Sequence, residues 1–311
     1  MKAINSGVSV RALGYLVALA EEMHFGRAAE RCHVSQPTLS AQIKKLEDQL
    51  GVHLVERSQR RVMLTDIGEQ IVARARQVLR EVDAVCEIAR GHQDPLAGEL
   101  RIGLIPTVGP YLLPVISPAL RKALPRMRLL LVEHQTADLL QALDEGGVDL
   151  AVLALPIEQE GLEVQPLYDE AFLAALPAGH RLSRKPHLKI SDLDGETLLL
   201  LEDGHCLRDQ ALEVCGKIDV SEPQDFRATS LETLRQMVAS GIGATLLPQL
   251  ATERPYARTP GLQVRPLRNP VPSRTVAAAW RRTSPRTATI REICRVVRET
   301  MEKKGLPVKN A

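Results

Sequence analysis

The stretch RAAERCHVSQPTLSAQIKKLEDQLG, residues 27–51, leaves its backbone little choice. Ala28, Ala29 and Cys32 give a first helix a small-residue face, which lets a second helix cross close to it. Val34 fills the turn, Ser35 is a good N-cap, and Pro37 falls in a first helical turn, where its missing N–H costs nothing. Leu39, Ile43, Leu46 and Leu50 then repeat at helical spacing until Gly51 ends the run. The opposite face carries Gln36, Thr38, Ser40, Gln42, Lys44 and Lys45, hydrogen-bonding groups first and cations after. Such a helix suits a DNA major groove, with Gln36, Pro37 and Thr38 at the base edges and the lysines on phosphates. Arg57, Arg60 and Arg61 follow between short β-like runs, as in a hairpin wing that touches phosphate or the minor groove. Residues 27–61 hold seven basic against four acidic side chains, so pattern rather than charge carries this reading. A plain helical hairpin with a solvated face is the alternative.

The remaining chain divides by pattern. Residues 1–64 form the helical and winged segment. Over 65–92, Ile71, Ala75, Val78, Val82, Val85 and Ala89 make a heptad seam, which predicts a dimerising helix rather than the core helix of a monomer. Gln93-Asp94-Pro95-Leu96-Ala97-Gly98 breaks that helix, and a hinge is expected over 93–99. From 100 to 311, strands such as Leu100–Ile105, Leu129–Glu133 and Asp149–Leu155 alternate with helical segments, an α/β pattern. With 40 Lys and Arg against 38 Asp and Glu, net charge says nothing about a polyanionic partner. Aromatic residues at 3% disfavour the stacking platforms used on single strands. No apolar run reaches the ~18–20 residues of a membrane span. Five scattered cysteines are no secreted disulfide framework, so a cytoplasmic location and no membrane partner are expected.

Two of those cysteines share one short amphipathic stretch, LEDGHCLRDQALEVCG (201–216). A helix starting near Leu207 leaves Cys206 at its N-terminus, where the helix dipole and Arg208 both favour a thiolate. Cys215 lies nine residues on, ~13 Å along a helix, whereas a disulfide needs Cα atoms within ~7 Å. The pair can therefore be two separate packed thiols, part of a zinc site with His205 as a third ligand, or a switch whose disulfide requires remodelling. Lacking a CxxC pair, zinc is the weakest of these. Cys32, Cys86 and Cys294 read as packing residues.

HFGRAAERCHVSQPTLSAQIKKLEDQLGVHLVERSQRRVMLTDIGE resembles the winged helix-turn-helix of LysR-type transcriptional regulators, and the likeness runs through nearly the whole chain. The resemblance implies an all-α winged domain, a linker helix, and a periplasmic-binding-protein-like α/β effector region in two lobes. Lobe I would use ~100–168 with ~272–311, and lobe II ~169–271. It also implies double-stranded promoter DNA, a homodimer through the linker helix, a homotetramer, and RNA polymerase as partners. EDGHCLRDQ, FRATSLETLRQMVASG, TLLP and PTVGPYLLP are similar to the peroxide-sensing branch of that family. That likeness implies Cys206 as the peroxidatic thiol and Cys215 as the resolving one, with Thr107, His205, Asp209 and Arg274 binding the peroxide. No cofactor or metal is then needed, because hydrogen peroxide is itself the reactant. The chain departs from the pattern across Gly216–Asp225, which would have to move. Two other functions compete. A LysR-type regulator could hold a small metabolite between its lobes with the cysteines incidental, and a thiol peroxidase would leave the first 64 residues unexplained.

Overall fold

The computed structural model describes residues 7–57, 62–91, 96–216, 218, 227–253 and 259–308. The chain forms two compact units, Met1–Gln93 and Asp94–Ala311.

The first unit contains α1 (Val10–Glu22), α2 (Phe25–Arg31), α3 (Gln36–Leu50), β1 (Val55–Arg57), β2 (Val62–Leu64) and α4 (Asp66–Gly91). Ser35 caps α3, its Oγ accepting from Thr38 N at 3.3 Å. Gly51 closes that helix with φ +70°, a left-handed backbone that glycine adopts without strain. Leu39, Ile43 and Leu46 are fully buried beside Leu16, Leu19 and Ala28. Leu50, expected on the same face, is exposed, because by the last turn α3 has passed beyond the helices it packs on. Glu47 is buried, and its Oε1 accepts from Leu54 N at 2.8 Å and Val55 N at 3.2 Å. One carboxylate thus ties α3 to the first strand of the wing, in which Val55 pairs with Leu64 and Arg57 with Val62.

The seam of α4 is divided. Ala75 is buried and Ile71 packs on the helix-turn-helix core, with its neighbour Val72 also buried, whereas Val78, Val82 and Val85 are 43, 37 and 67% exposed. The first turns of the heptad are spent within the chain; the later ones remain apolar and uncovered. Ala89 lies where side chains are outside the described residues. Cys86, expected to pack, is exposed, since it lies beside the seam on a helix that nothing described covers there.

The second unit runs β3 (Gly98–Leu104), α5 (Gly109–Ala123), β4 (Met127–Glu133), α6 (Thr136–Asp144), β5 (Leu150–Ala154), β6 (Leu162–Pro177), α7 (Cys206–Cys215), α8 (Leu231–Ala239), β7 (Thr245–Pro248), β8 (Leu262–Pro266), β9 (Ser273–Arg281) and α9 (Thr287–Lys303). Its sheet has the order β4-β3-β5-β9-β6-β7, with β8 also paired to β6. β3 is parallel to β4 and β5, while β9 is antiparallel to β5 and β6. The long β6 joins the lobes: Leu162–Ala171 pairs with β9, and Phe172–Pro177 with β7 and β8. The expected lobe boundary at 168/169 therefore falls inside a continuous strand. Gly98 and Glu99, placed in the hinge by sequence, already pair with β4; residues 92–95 lie outside the described residues. No helix among the described residues is long and apolar enough to cross a membrane.

Candidate functional site

The carboxyl ends of β3, β4 and β5 open onto one region, the usual place for a site in a parallel sheet. Thr107 follows β3 just before α5, Thr136 begins α6 after β4, and Leu155 follows β5. Lobe II brings Cys206 to this edge as the first residue of α7. Gly204 makes the approach possible. Its φ is +94°, a left-handed backbone that glycine adopts without strain, and a Cβ there would also displace the Gln135 side chain at the cap of α6. Four residues along α7, Gln210 Nε2 donates to Leu155 O at 3.1 Å, fastening that helix to the other lobe.

Arg274, in β9, is the charged centre of the arrangement. Its Nε donates to Glu170 Oε2 at 2.9 Å and its Nη2 lies 2.8 Å from the same oxygen. Nη1 donates to Thr107 Oγ1 at 3.0 Å and Nη2 to Thr107 O at 2.9 Å. Arg274, Glu170 and Thr107 are all buried. An arginine has five N–H donors; with these bonds made, one N–H of Nη1 is left over. Because Thr107 Oγ1 accepts from Arg274, its own hydroxyl proton is free to be donated elsewhere.

Burial pushes the Cys206 thiol up; the charge of Arg274 opposes this most, followed by hydrogen bonds from Thr136 and the Leu207 backbone, while Asp209 adds to the rise. Thr136 Oγ1 is buried without a hydrogen-bond partner among the described residues, which leaves its hydroxyl available to the thiol whose pKa it lowers. Of the two groups expected to favour the thiolate, the backbone at the helix end does so and Arg208 does not. Arg208 Nε is committed to Asp203 Oδ1 at 3.0 Å and its Nη1 to Leu201 O at 3.2 Å, and desolvation outweighs the favourable groups. Asp209 is exposed. His205 caps α7 by position but without a side-chain bond. It is buried, which depresses its pKa against the pull of Glu202 and the Thr229 backbone. Its Nε2 has no hydrogen-bond partner among the described residues.

Cys215 ends α7, fully buried in the apolar core, its thiol pushed up to about 11 by burial alone. Nine helical residues separate the sulfurs' Cα atoms by ~13 Å, so one metal ion cannot take both thiols while α7 is intact.

In the first unit, Gln36, Pro37, Thr38, Lys44 and Lys45 are exposed on α3, and Ser40 and Gln42 are half-buried. Thr38 Oγ1 pairs with Ser35 Oγ at 2.7 Å, and its hydroxyl keeps at least one lone pair for a further partner. Arg57 ends β1, its side chain outside the described residues, as are Arg60 and Arg61 altogether. Sequence reasoning missed Glu47, Thr136, Glu170 and Gln210. A threonine opening a helix just after a strand was the one signal available, for Thr136.

Comparison with known proteins follows the same division. Residues 10–69 match the bacterial regulatory helix-turn-helix protein, lysR family, and residues 93–302 the LysR substrate binding domain. The DNA-binding transcriptional dual regulator OxyR of Escherichia coli K12 is 48% identical over 95% of this chain and 96% of its own. A full-length OxyR variant from Pseudomonas aeruginosa is 42% identical, with TM-score 0.79 and 98% of each chain covered. A hydrogen peroxide-bound OxyR mutant of Corynebacterium glutamicum is 33% identical, with TM-score 0.65 and 97% of each chain covered. The chain belongs to the LysR family of bacterial helix-turn-helix regulators, in its OxyR branch.

Proposed function

We propose that this protein is a peroxide-responsive regulator of transcription, in which oxidation of Cys206 is read out by the DNA-binding unit. The observation that carries the reading is that a buried Arg274, held by Glu170 and Thr107, and the Thr136 hydroxyl act on one thiol at the joint between two lobes. The Corynebacterium relative solved with hydrogen peroxide bound supports it.

The chemistry balances without a cofactor. Cys206 gives up its proton, and the thiolate sulfur attacks one peroxide oxygen. An S–O bond forms and the O–O bond breaks; sulfur is oxidised by two electrons, and the departing hydroxide takes a proton to leave as water. In this reading the spare N–H of Arg274 and the hydroxyl of Thr107 stabilise the oxygen that becomes negative. Cys215 then attacks the sulfenic sulfur and a second water leaves. Because α7 holds the thiols ~13 Å apart, this step requires the helix to open, and the disulfide locks a different shape. His205 serves as a neutral hydrogen-bonding group; Asp209, exposed, acts through its charge on the thiol.

In this reading α3 enters the major groove of promoter DNA with Gln36, Pro37 and Thr38 at base edges, Ser40 and Gln42 beside them, and Lys44 and Lys45 on phosphates. Arg57, Arg60 and Arg61 contact phosphate or the minor groove. Exposed Val78, Val82 and Val85 support a homodimer through α4, with a homotetramer, contact with RNA polymerase and a cytoplasmic location following from the family. The protein spends one peroxide per signal rather than turning it over as an enzyme.

Thiol trapping after a peroxide pulse tests the reading. Wild type should yield a 206–215 disulfide, and Cys215→Ser a sulfenic acid labelled by a dimedone probe. An unchanged peroxide response in Cys206→Ser would leave a metabolite-responsive regulator in its place.

A further inference from the structure

Glu170 touches neither thiol, yet it determines where the guanidinium of Arg274 can point. It stands directly opposite Arg274 in the β6–β9 ladder. Oε2 takes the Nε and Nη2 side of the guanidinium. Oε1 accepts from Leu250 N at 2.8 Å, in the 3₁₀ turn Gln249–Thr252 that follows β7. The carboxylate is 1% exposed and so has no competing water. With that edge of the fork held by Glu170 and Thr107 O, the remaining donor can only lie on Nη1, beside the Thr107 hydroxyl.

We propose that Glu170 is a positioning residue for the peroxide reaction, fixing Arg274 so that its last free N–H meets the departing oxygen, and tying that guanidinium to the turn after β7 in lobe II. The proposal rests on the reading of Cys206 as the peroxide-reactive thiol. Glu170 has a second consequence. It neutralises the charge of Arg274, the group that most opposes the burial of the Cys206 thiol. The same residue thus organises the reactive state while restraining the resting thiolate. The other titratable groups acting on the cluster among the described residues are Asp209 in the first turn of α7 and Tyr168 from β6, whose buried hydroxyl titrates well above its ordinary range through burial and the nearby Glu170.

A structural role and a positioning role separate by comparing two reagents in a Cys215→Ser background. Iodoacetamide needs only the thiolate; hydrogen peroxide needs the thiolate and the aligned donor. Glu170→Gln keeps the acceptor for Leu250 N but removes the charge. It should slow sulfenic acid formation by ten-fold or more, while the pH midpoint of iodoacetamide alkylation at Cys206 moves downward. Glu170→Asp keeps the charge but is too short to serve Arg274 and Leu250 N together. It should slow the peroxide reaction similarly and leave the alkylation midpoint in place. Thermal melting shows which variants are folded. A wild-type peroxide rate in whichever variant folds overturns the proposal, as does a parallel loss toward both reagents. If the parent Cys215→Ser protein itself forms no sulfenic acid at Cys206, the peroxide reading fails first and independently.

Discussion

Cys206 and Cys215 begin and end the same ten-residue helix, and burial pushes both thiols up, yet their surroundings differ in kind. At the first end, α6 and β9 supply a hydroxyl and a guanidinium. At the far end there is only the hydrophobic core. The helix itself does not make one thiol reactive. What separates the two is the polar edge of the sheet, delivered to Cys206 and not to Cys215.

The sharpest way to break this comparison is to oxidise the protein. If the sulfurs can meet only by opening α7, amide exchange across 206–215 should accelerate by about 100-fold or more once the disulfide forms, while β9 stays protected. Mass-resolved hydrogen exchange measures this. An intact exchange pattern in disulfide-containing protein would show that the two ends are joined by some other motion.

Arg274→Lys should come next in size. It keeps a positive charge but loses the fork that binds Glu170 and Thr107 together. Removing one donor of this kind costs about 100- to 1,000-fold in rate, so peroxide consumption in single turnover should fall by that order. Iodoacetamide alkylation should change far less. Equal losses to both reagents would mean that Arg274 matters only through its charge.

The sequence disclosed the DNA-binding unit well because its determinants are local. Ser35, Pro37 and Gly51 act on backbone within a few residues of themselves, and the ends of α3 lie where they dictate. α7 was legible for the same reason. The polar edge was not, beyond what the family likeness implied. Glu170 and Arg274 are 104 positions apart and meet only because β6 and β9 pair in one register. Arg208, adjacent to the thiol in sequence, points to Asp203 instead, so nearness along the chain named the wrong cation. In α4 the heptad gave no hint that Ile71 and Ala75 are claimed by the fold of the first unit, while Val78, Val82 and Val85 stay exposed.

Cys215 tests the other half of the comparison through stability. Its folded-state pKa, about 11, is above the unfolded thiol value near ~8.5. The folded state therefore holds the proton more tightly. The stabilisation is fully present below pH ~8.5 and is lost as pH rises through about 11, the loss across that window being about 3 kcal/mol. Cys215→Ala has a pH-independent cavity cost, so its denaturation free energy should fall less steeply from pH 8.5 to 11 than that of wild type. Parallel slopes would show that this end of α7 opens in alkali before the thiol ionises.

The smallest effect is expected at Thr136, and it is the most discriminating between the two ends of the helix. Valine nearly matches threonine in shape, so Thr136→Val should leave α6 and its packing in place while deleting the hydroxyl that faces Cys206. That hydroxyl lowers the thiol's pKa, behind Arg274 in effect. Without it, the thiolate fraction at neutral pH should drop and alkylation of Cys206 should slow by a few-fold, with its pH midpoint moved upward. A net hydrogen bond of this kind is worth about 0.5–1.5 kcal/mol, which caps the expected change near ten-fold. Alkylation of Cys215 in denaturant-free protein should be unaffected, because burial alone sets that thiol. A midpoint that stays still would assign the contact to packing, and the polar edge acting on Cys206 would reduce to Arg274 and the Leu207 backbone.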